Sequence, residues 1–105
     1  MSNFIFLNGK IISDADANIS SADRGFLYGD GIYETLRSYN GKPFKLADHL
    51  ERMRHSARQL KISFDYTNAD IGERINELLE KNHTQDAYIR ITLSRGSGGG
   101  RLQMD

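Results

Sequence analysis

The chain has 105 residues, of which 38% are hydrophobic and 27% charged. This length indicates one domain, and this composition is typical of neither a disordered nor a membrane-spanning protein. Fourteen basic residues balance fourteen acidic ones, so the chain has no net attraction to nucleic acid or an anionic membrane. Cysteine is absent, which excludes disulfides and thiolate metal ligands and fits a reducing, cytoplasmic location.

Two hairpins are predicted in the first part of the chain. In the first, the apolar run Phe4–Leu7 is followed by the turn signal Asn8-Gly9 and a returning strand. A polar loop and a glycine-rich loop over residues 23–31 come next. In the second hairpin, a strand over 32–39 turns at Asn40-Gly41 and returns through Pro43, which suits a sheet edge.

Two amphipathic helices are predicted next. The first begins near Asp48, and its apolar stripe recurs at helical spacing: Leu46, Leu50, Met53, Ala57 and Leu60. His49, Arg52 and Ser56 lie on one flank of this stripe, and Arg54 and Arg58 lie on the other. The second helix is capped by Thr67 or Asn68 and ends near Asn82, with a buried stripe at Ile71, Ile75, Leu78 and Leu79.

A half-buried strand over 87–94 closes the pattern, with Tyr88 and Arg90 on its polar face. A flexible glycine-rich loop follows over 95–101. Two hairpins, two helices and a returning strand predict an α+β domain, in which an antiparallel sheet of hairpins packs against two helices.

Two local patterns resemble ligand-binding loops without completing them. The run from Asp14 begins like a calcium-binding loop, but Ile19 and Gly25 stand where that loop needs Gly and Glu. The glycine runs at 29–31 and 96–100 lack the Lys-Ser/Thr of a phosphate-binding loop. We therefore predict no metal site and favour turn chemistry for the glycines.

The residues leave two readings open for the polar groups on the first helix and the last strand. Arg52 either reaches a phosphate with a bidentate guanidinium or pairs with Glu51 or Asp48 along its own helix. Tyr88 and Arg90 are either binding groups or an ordinary exposed strand face.

An ordered set of motifs resembles the start of class IV pyridoxal-phosphate enzymes, a family that includes branched-chain and D-amino-acid aminotransferases and aminodeoxychorismate lyase. The set covers nearly the whole chain. It comprises Asn8-Gly9, Asp23-Arg24-Gly25, Tyr28-Gly29-Asp30-Gly31, Tyr33-Glu34, Asn40-Gly41, His49-Leu50-x-Arg52-Met53, Ser56-Ala57, Tyr88-Ile89-Arg90 and Ser94-Arg95-Gly96.

The resemblance implies a role for each matching site residue. Arg52 would hold the phosphate of pyridoxal 5'-phosphate, for which a charge-assisted bidentate contact suits arginine. Tyr33 would lie near cofactor and substrate, while Tyr88 and Arg90 would line the substrate pocket. Arg101 is a further candidate for binding a substrate carboxylate. The glycine motifs around residues 25 and 30 would be structural.

Catalysis in this family needs a lysine that forms a Schiff base with the cofactor. None of the five lysines of this sequence matches its position, so we assign no catalytic residue here. We expect residues 1–105 to be a single domain, the N-terminal half of a larger two-domain aminotransferase. That enzyme would act on an amino acid and a 2-oxo acid and form a homodimer. A lyase of the same family is the nearest alternative, and a stand-alone domain that binds a small anion or a protein is the other.

Overall fold

A computed structural model describes residues 3–97, so Arg101 and most of the last glycine run lie outside the described residues. The first hairpin pairs β1 (Phe4–Leu7) with β2 (Lys10–Ser13) in an antiparallel two-stranded sheet of its own. Asn8 and Gly9 both adopt positive φ, at 50° and 89°, which is the backbone geometry that an Asn-Gly turn favours. The predicted hairpin is confirmed.

A short helix, α1 (Arg24–Tyr28), lies where the sequence predicted only a glycine-rich loop. The carboxylate of Asp23 accepts hydrogen bonds from the N–H groups of Gly25 and Phe26, at 2.7 and 3.3 Å, and so caps the helix. Gly29 ends it in the left-handed region, at φ 65°. The loop prediction was wrong because five residues are too few to show a helical period. A single 3-10 turn over Asp14–Asp16 interrupts the polar loop before it.

The main sheet has three antiparallel strands in the order β4-β3-β5. The central strand β3 (Gly31–Tyr39) pairs with β5 (Tyr88–Ser94) along Gly31–Arg37, and with the two-residue β4 (Lys42–Pro43) at its far end. Pro43 therefore lies on an edge strand, as predicted.

The two long helices, α2 (Leu46–Leu60) and α3 (Asn68–Lys81), supply most of the core and confirm the α+β class. Thr67 caps α3 in a reciprocal arrangement: its hydroxyl accepts from the N–H of Asp70, and the Asp70 carboxylate accepts from the N–H of Thr67. The central core cluster consists of Leu50, Ile71, Ile75 and Leu79, with Ile89 and Ile91 of β5 packed against it.

The end of α2 departs from the predicted apolar stripe. Leu60 is exposed instead of buried, because the chain turns at Lys61 in the left-handed region and buries Ile62 in its place. Arg54 is half-buried instead of solvated, since its guanidinium carbon lies 4.7 Å from the centroid of the Phe64 ring; its Nη2 also donates to Asn68 Oδ1 at 2.6 Å. Within residues 3–97, none of the helices has the length and apolar character needed to cross a membrane.

Candidate functional site

The two faces of β3 carry different chemistry. Side chains alternate along a strand, and here Ile32, Glu34, Leu36 and Ser38 turn toward the helices. Their neighbours, Tyr33, Thr35, Arg37 and Tyr39, are exposed on the opposite face. One strand therefore presents a carboxylate to α2 and a row of aromatic and cationic groups to the open side.

Glu34 joins two side chains of α2 on the helix face. Its Oε1 lies 2.7 Å from Nδ1 of His49 and 2.8 Å from Nη2 of Arg52, and its Oε2 lies 3.0 Å from Nε of Arg52. The arginine contact is a bidentate fork. His49 and Arg52 are three residues apart on α2, which places both above the same strand position.

The ion pair fixes the charge state of the group. The hydrogen bond from Arg52 holds the pKa of the Glu34 carboxyl below its usual range, with a smaller contribution from His49, and Glu34 in turn raises the pKa of Arg52. A carboxylate only accepts hydrogen bonds, so Nδ1 of His49 carries a hydrogen and donates it to Glu34. Glu34 is therefore a carboxylate anion that accepts hydrogen bonds from two side chains, His49 and Arg52.

The pairing of Arg52 along its own helix was wrong, because its partner is Glu34 on a strand and neither Glu51 nor Asp48. Glu34 was quoted in the sequence only as part of a motif. The alternation of side chains along a strand could have revealed it, because Glu34 is the charged residue on the face that also carries Ile32, Leu36 and Ser38. A charged residue on the buried face of a strand requires a partner from the element that covers it.

Three of the predicted site residues lie together on the open face. The guanidinium carbon of Arg90 is 4.2 Å from the ring centroid of Tyr33, and Arg90 stands opposite Thr35 in the ladder. Next to them, Tyr88 is opposite Arg37. Arg37 is a residue that the sequence analysis missed. The structure thus groups Tyr33, Tyr88 and Arg90, and it places Arg52 on the other face.

The edge of β3 that faces away from β5 separates these two groups. Ser38 N–H donates to the carbonyl of Ala87, the residue just before β5, whereas the carbonyl of Arg37 accepts from the N–H of Phe44 on the other side. Successive residues of a strand direct their backbone groups to opposite edges, so Tyr33 and Thr35 direct theirs away from β5. Within residues 3–97, β4 pairs only with Ser38 and Tyr39, and no strand covers this edge beside Tyr33 and Thr35.

Arg52 fits the phosphate of the implied cofactor. Its side chain is 68% exposed, and the fork with Glu34 uses only Nε and one hydrogen of Nη2. A guanidinium has five N–H donors, so both hydrogens of Nη1 and the second hydrogen of Nη2 are left for an anion. Those donors form the second edge of the fork, which matches two phosphate oxygens.

Two glycines allow β3 and α1 to lie close against the end of β5. A Cβ at Gly31 would lie 2.8 Å from the carbonyl oxygen of Leu93, and one at Gly25 would lie 2.8 Å from Cβ of Ser94. Arg95 adds a clamp, since its Nε donates to Asp30 at 2.6 Å. These contacts agree with the structural role expected for the glycine motifs.

A shallow cavity of about 640 Å³ lies elsewhere, between the end of α3 and the Asn40-Gly41 turn. It contains none of the predicted site residues. Its lining has no arginine or lysine to bind an anion, and consists of Gly41, Asn76, Leu79, Glu80, His83, Thr84 and Gln85. The candidate site is therefore the region around Glu34 and Tyr33.

Sequence comparisons find similarity to aminotransferases. The family described as "Amino-transferase class IV" matches residues 31–104. A putative branched-chain-amino-acid aminotransferase of Methanocaldococcus jannaschii is 42% identical over 94 residues, which are 90% of this chain and 33% of that protein. A D-alanine aminotransferase of Staphylococcus epidermidis is 38% identical over 93 residues, with coverage of 89% and 33%. The chain thus spans about a third of the length of these relatives.

Solved structures share the fold. A T.th. branched-chain amino acid aminotransferase with pyridoxamine 5'-phosphate superposes with a TM-score of 0.82 at 26% identity, over 92% of this chain and 34% of that one. A putative 4-amino-4-deoxychorismate lyase from Legionella pneumophila gives 0.73 at 34% identity, over 79% and 31%.

Proposed function

Because the chain belongs to the class IV aminotransferase family, we propose that it is the N-terminal part of an enzyme that moves an amino group between an amino acid and a 2-oxo acid. The observation that carries the proposal is Arg52, whose guanidinium is oriented by Glu34 and offers its remaining donors at an exposed position. The 105 residues alone would be inactive, since the family's lysine matches none of the chain's own.

Pyridoxal 5'-phosphate, when bound, supplies the electron sink for chemistry at the α-carbon of an amino acid. The task of this chain would be to bind and orient. Arg52 would hold the phosphate through the free edge of its guanidinium, which fixes one end of the cofactor. Orientation of this kind lowers the entropy cost of bringing cofactor and substrate together.

The uncovered edge of β3 explains how residues on two faces of a sheet could serve one site. A ligand seated at that edge can contact Arg52 from the helix side and Tyr33 from the open side. The backbone groups of Tyr33 and Thr35 point to the same edge and need partners there, either water or ligand.

Substrate selection would fall to the open face, where Arg90 would pair with a substrate carboxylate and Tyr33 and Tyr88 would form the wall. Residues 31–39 and 88–94 bring two cationic and three aromatic side chains to this face and no acidic one. Such a surface favours a carboxylate with an apolar or polar tail. Arg101 stays a candidate for the same task, outside the described residues.

An exposed apolar surface supports a larger assembly over a stand-alone domain. Phe26, Leu27 and Tyr28 of α1 are all exposed, as is Ile19 before it. Clusters of this kind mark contact surfaces. We propose that a second domain and a second copy of the protein cover them in a homodimer, and that the enzyme acts in the cytoplasm.

The lyase reaction is the second candidate, favoured by the 34% identity to the Legionella structure. Both reactions use the same phosphate anchor and differ in what happens at the substrate. The residues described here therefore support either one, and the assay must separate them.

The test uses the full-length protein and its Arg52→Ala variant. We expect the wild type to form more than one equivalent of 2-oxo acid from an amino acid only when an acceptor 2-oxo acid is present to take up the amino group. We expect the variant to bind pyridoxal 5'-phosphate about tenfold or more weakly, since it loses charge-assisted hydrogen bonds. Unchanged cofactor affinity would remove the role of Arg52. Aromatic product from aminodeoxychorismate, without amino transfer, would favour the lyase.

A further inference from the structure

Glu34 differs from an ordinary surface partner of an arginine. Its side chain is only 11% exposed, and both of its oxygens accept from Arg52 at 3.0 Å or less. A third hydrogen bond comes from Nδ1 of His49, at 2.7 Å from the Oε1 that also accepts from Arg52. A carboxylate held on a strand by two partners from one helix has little freedom to turn away.

The two partners are unequal in mobility. Glu34 lies between the sheet and α2, whereas the side chain of Arg52 is 68% exposed. An arginine in solvent samples many rotamers, and ordering it costs free energy when a ligand binds. The fork with Glu34 meets that cost in the protein before any ligand arrives. The fixed carboxylate thus determines where the guanidinium points.

We infer that Glu34 is a positioning residue, which holds the Arg52 guanidinium in the orientation that receives the cofactor phosphate. The inference rests on the proposed function of Arg52. Glu34 occupies the Nε edge of the guanidinium, so a phosphate can take the opposite edge without displacing it. Nδ1 of His49 donates to the same Oε1 that accepts from Nη2 of Arg52, and so helps to hold the carboxylate in place.

A competing arrangement has Glu34 as a surrogate anion that the phosphate must displace. Its negative charge would then weaken phosphate binding. The geometry favours positioning, because the fork leaves three donors of Arg52 for a second anion. The two arrangements predict opposite changes when Glu34 loses its charge.

The experiment measures the affinity of the full-length protein for pyridoxal 5'-phosphate and for pyridoxal, which lacks the phosphate, by absorbance titration. Glu34→Gln keeps the size of the side chain but replaces one accepting oxygen with an amide N–H₂ group, which cannot accept a hydrogen bond from Arg52 or His49. We expect about a tenfold rise in the Kd for pyridoxal 5'-phosphate, as for the loss of one charge-assisted contact. The Kd for pyridoxal should stay within about twofold, since that ligand has no phosphate to orient. Glu51→Gln, on the exposed side of α2, is the matched control and should change neither value.

The ratio of the two Kd values separates positioning from damage to the fold, because a damaged site loses both ligands together. Arg52→Lys provides a second test, since lysine keeps the charge and cannot form the fork. In that background Glu34→Gln should have no further effect on phosphate affinity. Tighter phosphate binding in Glu34→Gln, or an unchanged ratio, would overturn the inference while leaving Arg52 as the phosphate ligand. If Arg52→Ala itself binds normally, the proposed function of Arg52 fails instead.

Discussion

Arg37 and Tyr88 face each other across the β3–β5 ladder on the open side of the sheet. The guanidinium carbon of Arg37 lies 4.3 Å from the centroid of the Tyr88 ring, and its Nη1 donates to the Tyr88 hydroxyl at 3.2 Å. Arg37 also lies 5.7 Å from the ring of Tyr39. The ring therefore supports the guanidinium by a cation–π contact and its hydroxyl fixes the rotation.

The pair predicts that the ring of Tyr88 matters more than its hydroxyl. Tyr88→Phe keeps the cation–π contact, so we expect the KM for the proposed amino-acid substrate to rise by less than about threefold. Tyr88→Ala removes the support for Arg37 and should raise the KM by about tenfold. Steady-state kinetics of the full-length enzyme at saturating cofactor measure both. Equal losses in the two variants would instead assign a direct substrate contact to the hydroxyl.

Arg90→Ala tests whether the two faces of β3 have separate tasks. Arg90 lies with Tyr33 on the face opposite Arg52, so its removal should raise the KM for substrate by about tenfold. The Kd for pyridoxal 5'-phosphate should stay within about twofold, because independent sites are additive. Arg58→Ala, at an exposed position of α2, serves as the control for loss of a positive charge. A parallel loss of cofactor affinity would show that the faces are not independent.

Arg95 is expected to matter for stability more than for binding. Its guanidinium donates to the Asp30 carboxylate at 2.6 and 3.3 Å and to the carbonyls of Leu60 and Lys61 at the end of α2. Arg95→Ala leaves a mostly buried carboxylate and two carbonyls without these donors, so the free energy of unfolding should fall by roughly 1.5–3 kcal/mol. Arg95→Lys should recover part of the loss. Urea unfolding measures the free energy of unfolding of each variant. A smaller loss in Arg95→Ala than in Arg58→Ala would contradict the stabilising role of the Arg95 hydrogen bonds.

The elements of this fold were predictable wherever the sequence carried a period or a turn signal. Both Asn-Gly hairpins and both long helices follow from such signals, and α1 was missed because its five residues contain no full period. The site was predictable in part. The alternation of side chains along the strand predicts that Tyr88 and Arg90 share one face. No local sequence pattern predicts which strand lies beneath α2. The contact of Arg52 with Glu34, eighteen residues away, is a property of the packing.

Two paired carboxylates predict how stability depends on pH. Arg52 holds the pKa of Glu34 below its usual range, and Arg95 does the same for Asp30. The unfolded chain therefore binds protons more readily than the folded one as the pH falls. The stabilisation is present above the ordinary carboxyl pKa, about 4, and is lost as the pH drops through the lower folded values.

Denaturant unfolding between about pH 5 and pH 3 measures this dependence. The free energy of unfolding should decline more steeply in the wild type than in Glu34→Gln, which has no carboxyl at that position to protonate. Asp30→Asn should flatten the curve in the same way. A Glu34→Gln curve parallel to that of the wild type would mean that the Glu34 pair contributes nothing to stability.

Two glycines with opposite surroundings give a final test of the packing around the site. Gly31→Ala puts a Cβ 2.8 Å from the backbone oxygen of Leu93, which cannot move without opening the β3–β5 ladder. We expect a loss of about 1–3 kcal/mol in the free energy of unfolding. Gly72 lies inside α3, and its added Cβ would meet only Leu46 at 3.8 Å. Gly72→Ala should stabilise the protein by about 0.5–1 kcal/mol, because alanine favours the helix. Urea unfolding measures the free energy of unfolding of both variants. An unchanged value in Gly31→Ala would show that β5 can shift away from β3.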